Sequence, residues 1–127
     1  MATKYDAIII GTGQSGPSLA AKLAGSGMKV AIVERKLFGG TCVNTGCIPT
    51  KTLVASARAA YMAKRAADFG VMVEGSIAVD MKKVKARKDG VVRKSNQGVE
   101  NWLKSTDNLK VYEGHASFQS SHTVSVN

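Results

Sequence analysis

The stretch YDAIIIGTGQSGPSLAAKLAGSGMKVAIVE, residues 5–34, decides the fold. Residues 5–10 end in β-branched side chains before a glycine and predict a buried strand. Residues 17–26 are rich in alanine and leucine and predict a helix, in which Pro17 is tolerated because a first-turn residue needs no N–H bond. Residues 28–34 predict a second strand. The fold class is therefore α/β, built on a β-α-β unit whose strands run parallel with a right-handed crossover.

The turn of this unit, GTGQSG at residues 11–16, has the GxGxxG pattern that binds dinucleotides. Gly11 permits the tight turn, Gly13 lets the backbone approach a pyrophosphate, and Gly16 lets helix and strand pack closely. The helix N-terminus adds free N–H groups and a partial positive charge. Glu34 ends the second strand, where its carboxylate can hold a ribose diol and repel a 2′-phosphate, which argues against NADP here. The alternative is a glycine-rich turn that binds nothing, and the motif alone does not distinguish NAD from FAD.

The only cysteines of the chain, Cys42 and Cys47, lie in FGGTCVNTGCIPTK at residues 38–51. They could be free and buried. A structural disulfide between them would close a very short loop and would therefore add little stability. Zinc would need further ligands, and His115 and His122 lie far away in sequence. The functional alternative is a disulfide that opens and closes at a helix start, where a thiolate is favoured. Beside a dinucleotide turn this indicates electron transfer to sulfur, which favours FAD as the cofactor because flavin can accept hydride and reduce a disulfide.

The rest of the chain predicts two further helices and a hairpin. Residues 42–68 are rich in alanine and predict a helix with a kink at Pro49, which cannot bond back to Thr45. A loop or edge segment follows through residue 79, and Asp80 is a plausible N-cap for a second long helix. Residues 109–127 predict a strand, a turn and a hairpin. One face of the second long helix is predicted to carry Met81, Val84, Val91, Ser95, Val99 and Trp102.

The net charge of +9 is concentrated in KKVKARKDGVVRK, residues 82–94, of a chain of 127 residues. This block has no aromatic residue and no helix-turn-helix or zinc-finger spacing beside it, so we expect a solvated basic surface rather than nucleic-acid binding. The basic excess could also belong to a piece whose acidic part lies elsewhere. No apolar run approaches the roughly 20 residues that cross a bilayer, and the start lacks a signal-peptide pattern. These features predict a cytoplasmic protein with no membrane partner.

GGTCVNTGCIPTK resembles the redox motif of the pyridine nucleotide-disulfide oxidoreductases, a family that includes dihydrolipoamide dehydrogenase, glutathione reductase and mercuric reductase. IIIGTGQSGPSLA and VYEGHASF fit the same family in the right order, so the resemblance covers essentially the whole chain. Gln14 and PTKTLVASARAA most resemble the mercuric-reductase-like branch. The resemblance implies an enzyme that passes electrons from NAD(P)H through FAD to a Cys42–Cys47 disulfide. From there they would reach a small-molecule or metal-ion substrate, such as mercuric ion, lipoamide or a similar disulfide.

The resemblance also implies a set of cofactor contacts. Glu34 would hold the adenosine ribose and Ala116 would meet the adenine. Gly40 and Thr41 would line the path from the phosphates to the flavin. The FAD pyrophosphate would be bound by the backbone of the turn, at Gly11, Gly13, Gln14, Ser15 and Gly16.

For the redox centre, the resemblance assigns each sulfur a separate role. Cys42 would be the outer thiol that exchanges with substrate, and Cys47 the inner thiol that lies against the flavin ring. Lys51, one helical turn after Cys47, would stabilise negative charge on the reduced ring, with an ordinary surface lysine as the alternative. No metal ligands are expected.

Members of this family are longer, with an NAD(P)H domain and a dimerisation domain that residues 1–127 do not supply. We therefore expect a Rossmann-like FAD-binding domain, its N-terminal part only, with a C-terminal β-hairpin, from a parent that forms a homodimer. These residues alone should be inactive as a reductase and prone to self-association. The alternative is a stand-alone dinucleotide-binding or redox-sensing module without turnover.

Overall fold

A parallel sheet forms the centre of the computed structural model, which describes residues 2–127. Strand β1 (Ala7–Ile10) leads through helix α1 (Gly16–Gly25) to strand β2 (Val30–Glu34), and the two strands pair in parallel with Ala7 opposite Val30. This confirms the predicted β-α-β unit, with each boundary within two residues of the expected one. β2 is buried along most of its length, as a central parallel strand must be.

Strand β3 (Leu109–Glu113) joins the same sheet beside β2, again in parallel, so the strand order is β1-β2-β3. Strands β4 (Ala116–Ser120) and β5 (Thr123–Val126) form a separate antiparallel hairpin, which confirms the α/β class with a C-terminal hairpin. Within residues 2–127, β1 is an edge strand and its residues Ile8 and Ile10 are 40% and 49% exposed.

The segment expected to be one helix over residues 42–68 is two helices, so the prediction of a kink at Pro49 is wrong. Helix α2 (Gly40–Asn44) ends before Gly46, whose φ of −116° and ψ of −105° are not helical, and helix α3 (Cys47–Lys64) starts after it. A single 3-10 turn (Ala66–Phe69) follows. Pro49 lies in the first turn of α3, where N–H groups have no intrahelical partner, so its missing N–H breaks no bond.

The second long helix, α4 (Met81–Lys104), begins where predicted, and the Asp80 side chain accepts hydrogen bonds from the backbone N–H groups of Lys82 and Lys83. It continues through both of its glycines. The predicted apolar face is partly wrong, because Met81 and Trp102 are 64% and 44% exposed while Leu103 is fully buried. The true buried face is rotated by about one residue.

The hydrophobic core lies between the sheet, α1 and the C-terminal end of α4. Helix α1 meets β2 through alanines, which lets the helix pack close to the sheet. The buried cluster consists of Ala20, Ala24, Val30, Ile32, Phe38 and Leu103.

The basic stretch at residues 82–94 occupies the first half of α4. Asp89 accepts hydrogen bonds from Lys85 and Lys88, which lower the pKa of the Asp89 carboxyl to about 2. Most of the other cations on this helix point outward, as a solvated basic surface requires. Over residues 2–127, every helix is too short or too polar to span a bilayer.

Candidate functional site

The glycine turn connects β1 to α1 with the geometry expected of a tight strand-to-helix turn. Gly11 has a φ of +96°, a conformation that side chains disfavour, and its N–H donates to the Val33 carbonyl at 2.7 Å. A Cβ at Gly16 would overlap the Gly11 carbonyl oxygen, so helix and strand pack too closely there for any side chain. A Cβ at Gly13 would meet nothing within 4 Å, so the side of Gly13 on which a side chain would lie is open. The exposed Gln14 and Ser15 complete the turn.

Glu34, at the end of β2, points its carboxylate at this turn. Its Oε2 accepts hydrogen bonds from the Thr12 N–H at 3.0 Å and the Thr12 hydroxyl at 2.5 Å, and its Oε1 accepts from the Lys36 N–H at 2.9 Å. Partial burial by itself raises the pKa of the Glu34 carboxyl, but the hydrogen bonds from Thr12 and Lys36 outweigh it and lower that pKa. Glu34 is therefore a fixed anion beside the turn at neutral pH.

The segment that carries the cysteines packs directly on the turn. Gly40 has a φ of +60°, and a Cβ there would lie 2.9 Å from the Gly13 Cα. The Gly39 N–H donates to the Thr12 hydroxyl oxygen at 3.2 Å. The structure therefore joins the glycine turn and the start of α2 into one surface, on which Thr41 is exposed next to Gly40.

The two cysteines are free thiols on two consecutive helices. Cys42 is half-buried in α2, and Cys47 is exposed as the first residue of α3. Interaction with the Cys47 thiol, together with partial burial, raises the pKa of the Cys42 thiol, while the Cys47 backbone N–H and the Lys51 charge oppose that rise. The pair is therefore close enough to interact, and Lys51 is close enough for its charge to act on Cys42.

Ala116 is connected to Glu34 through the backbone of Gly114. Gly114, two residues earlier, donates its N–H to the Glu34 carbonyl at 2.8 Å, which holds the entry to the hairpin at the end of β2. Ala116 itself is half-buried and pairs with Val126 as the first residue of β4.

Sequence reasoning missed three polar residues of this site, namely Thr12, Asn44 and Asn96. Thr12 is fully buried between Glu34 and Gly39. Asn44 donates to the carbonyls of Phe38 and Gly40, and Asn96 reaches the same segment from α4. Thr12 is a polar residue between two turn glycines, and this feature of the sequence could have identified it. Asn96 had no such signal, because it lies between the polar residues Ser95 and Gln97 of a helix.

Two surface clefts lie away from the cysteines. One, of about 650 Å³, is lined by Ile8, Val33 and Tyr112 on the open face of the sheet. The other, of about 570 Å³, lies between α3 and α4 beside Leu53 and Val84. Within residues 2–127, no cluster of three or more His, Cys, Asp or Glu side chains is arranged to hold a metal ion.

Replacing Thr12 with valine should lower the free energy of unfolding by about 1–3 kcal/mol, the usual cost of leaving buried polar groups without a partner. Valine has the same shape but lacks the hydroxyl that donates to Glu34 and accepts from the Gly39 N–H, while the backbone N–H bonds to Glu34 remain. Thr12→Ser keeps the hydroxyl and is the matched control. Urea denaturation of both variants measures the difference; equal stabilities for valine and serine would show that the hydroxyl is not needed.

Comparisons with known proteins agree with this geometry. The family described as pyridine nucleotide-disulphide oxidoreductase matches residues 5–127. Dihydrolipoyl dehydrogenase from Acholeplasma laidlawii is 42% identical over 127 residues, which is 100% of this chain and 38% of that protein. The enzyme of the same name from Bacillus subtilis is 42% identical over 115 residues, 91% of this chain and 24% of that protein. The chain thus spans well under half the length of these relatives.

A solved structure has a similar fold and a related sequence. The HOCl-induced flavoprotein disulfide reductase RclA from Escherichia coli, in its Cu(II) complex, superposes with a TM-score of 0.81 at 34% identity. The match covers 99% of this chain and 25% of that chain.

Proposed function

Because the chain belongs to the pyridine nucleotide-disulphide oxidoreductase family, we propose that it supplies the FAD-binding and redox-disulfide part of a flavoprotein disulfide reductase. The observation that carries this proposal is the contact between the glycine turn and the start of α2. Gly40 packs on Gly13, and Gly39 bonds to Thr12, so a dinucleotide held at the turn lies on the surface from which the cysteine helix begins.

The residues present fit FAD. Gly13 is open on the side where a side chain would lie, which leaves room for a pyrophosphate, and a side chain at Gly40 would close the approach between turn and helix. The N–H groups in the first turn of α1, other than that of Pro17 which has none, lack intrahelical partners and would be available to the phosphates. The pyrophosphate would be bound by the backbone of Gly11, Gly13, Gln14, Ser15 and Gly16.

Other residues would hold the two ends of the cofactor. The Glu34 carboxylate is ionised and fixed, as a ribose diol requires, and Ala116 would lie toward the adenine. Gly40 and Thr41 would line the path toward the cysteines, and Lys51 would set a positive charge beside the redox centre.

When bound, FAD supplies the two-electron chemistry that links NAD(P)H to a disulfide. The chain's own part is a Cys42–Cys47 disulfide that takes up two electrons and two protons to become a dithiol. By analogy with the family, Cys42 would exchange with substrate and Cys47 would face the flavin, although Cys47 is the exposed thiol of the pair and Cys42 is half-buried.

The acceptor we propose is a small disulfide of the lipoamide class. Two relatives at 42% identity are dihydrolipoyl dehydrogenases, which favours a disulfide over mercuric ion as the substrate. The parent protein would act as a cytoplasmic homodimer, and residues 1–127 alone would not oxidise NADH or NADPH.

Glu34→Arg tests the cofactor assignment. We expect FAD affinity to fall about 10- to 100-fold, because a hydrogen bond to a charged group contributes roughly 1.5–3 kcal/mol. Glu74→Arg makes the same change of charge at an exposed position and is the control. Quenching of flavin fluorescence on titration measures the affinity. A protein that takes up no FAD, or equal affinities for the wild type and Glu34→Arg, would refute the proposed site.

A further inference from the structure

We infer that Asn96, on α4, is a positioning residue that fixes Cys42 for exchange with Cys47. Asn96 donates its side-chain N–H groups to the Phe38 carbonyl at 2.8 Å and to the Asn44 side-chain oxygen at 3.0 Å. Phe38 lies two residues before the short helix that carries Cys42, and Asn44 is the last residue of that helix. The inference rests on the proposed function, since it assumes that the two cysteines form a redox pair.

The Asn44 side chain extends this contact to both ends of α2. Its Nδ2 donates to the carbonyls of Phe38 and Gly40, each at 2.9 Å. Asn44 is the last residue of α2 and Gly40 the first, so the two amides together tie the start and the end of the helix to α4. A helix of five residues is far too short to be stable through its own hydrogen bonds. The asparagine contacts therefore add to the packing of Gly40 on Gly13 in holding this helix in place.

Helix α4 is a suitable anchor because it also holds the helix of the second cysteine. The Arg87 guanidinium donates to the Thr52 carbonyl of α3 at 3.0 Å. At its other end α4 is fixed in the core by the fully buried Leu103. The helices of Cys42 and Cys47 are thus both hydrogen-bonded to one long helix, in addition to the short chain link that joins them.

This arrangement predicts an effect on disulfide chemistry that stability alone would not produce. In glutathione buffer, the disulfide and two GSH exchange reversibly with the dithiol and GSSG, through a mixed disulfide. Holding the two sulfurs close raises their effective concentration and favours the closed disulfide. If Asn96 only satisfied polar groups, its loss would lower stability and leave this equilibrium unchanged.

The test is the midpoint potential of the cysteine pair in wild type, Asn96→Ala and Gln97→Ala. Gln97 is exposed on the same helix and is the matched control. Alanine favours helix more than asparagine does, so α4 itself should persist. We expect the equilibrium constant for disulfide closure to fall about tenfold in Asn96→Ala, which raises the midpoint potential by about 30 mV. Gln97→Ala should match the wild type.

Asn96→Asp is the second variant, to be used if Asn96→Ala does not fold. It keeps the shape and loses the donors that Phe38 and Asn44 require, so it should shift the potential in the same direction. An unchanged potential in a folded Asn96 variant would overturn the inference and leave the proposed function intact. A wild type that forms no disulfide in any glutathione buffer would overturn both, and the two failures are told apart by the wild-type titration alone.

Discussion

Gly16→Ala should abolish FAD uptake and lower the free energy of unfolding by about 1–3 kcal/mol, the usual cost of overpacking a rigid contact. The added Cβ would overlap the Gly11 carbonyl oxygen, which is backbone and cannot rotate away. To relieve the overlap, α1 must move from β1. That movement displaces both the N–H groups at the helix start and the strand end that carries the turn.

Gly25→Ala is the control for this substitution. Gly25 is the last residue of the same helix, and a Cβ there would meet nothing within 4 Å. We expect it to be neutral or slightly stabilising, because alanine has a higher helix propensity than glycine and its Cβ meets no other atom there. Flavin fluorescence and urea denaturation measure both variants. Normal FAD uptake by Gly16→Ala would show that the close packing of helix and strand is not required.

The second large effect concerns the cysteines. Oxidised protein should show no free thiol, and mild reduction should expose two, since Cys42 and Cys47 are the only cysteines of the chain. Cys47→Ser should leave one thiol under either condition and remove disulfide reduction entirely, because a lone cysteine cannot take up two electrons by opening an internal disulfide.

Thr50→Ser is the control, since Thr50 is exposed in the same turn of α3 and changes nothing in the pair. Thiol titration with a chromogenic disulfide, before and after reductant, gives the count directly. Two free thiols that persist under oxidising conditions would remove the redox role, whatever the protein binds at the glycine turn.

Local patterns predicted the elements whose signals lie within a few residues. The strand, glycine turn, helix and strand of residues 5–34 were all predicted. A buried strand such as β2 needs a run of apolar residues, and a tight turn needs glycine, so both can be read from the local sequence. The break in residues 42–68 was predicted at the wrong place. Proline is a strong local signal, but in the first turn of α3 it costs nothing, whereas Gly46 ends α2 through backbone geometry that only the packed segment reveals.

The sequence by itself determined the α/β class and the dinucleotide-type turn, since each rests on spacing along the chain, and it predicted that Cys42 and Cys47 act together. The tertiary structure decided which residues meet. It added β3 beside β2, rotated the buried face of α4 to Leu103, and placed Asn96 against the cysteine helix. Hydrogen bonds such as Thr12 to Glu34 and Asn96 to Phe38 join residues far apart in sequence. The spacing of these residues follows no helix or strand period, so no local pattern predicts that they meet.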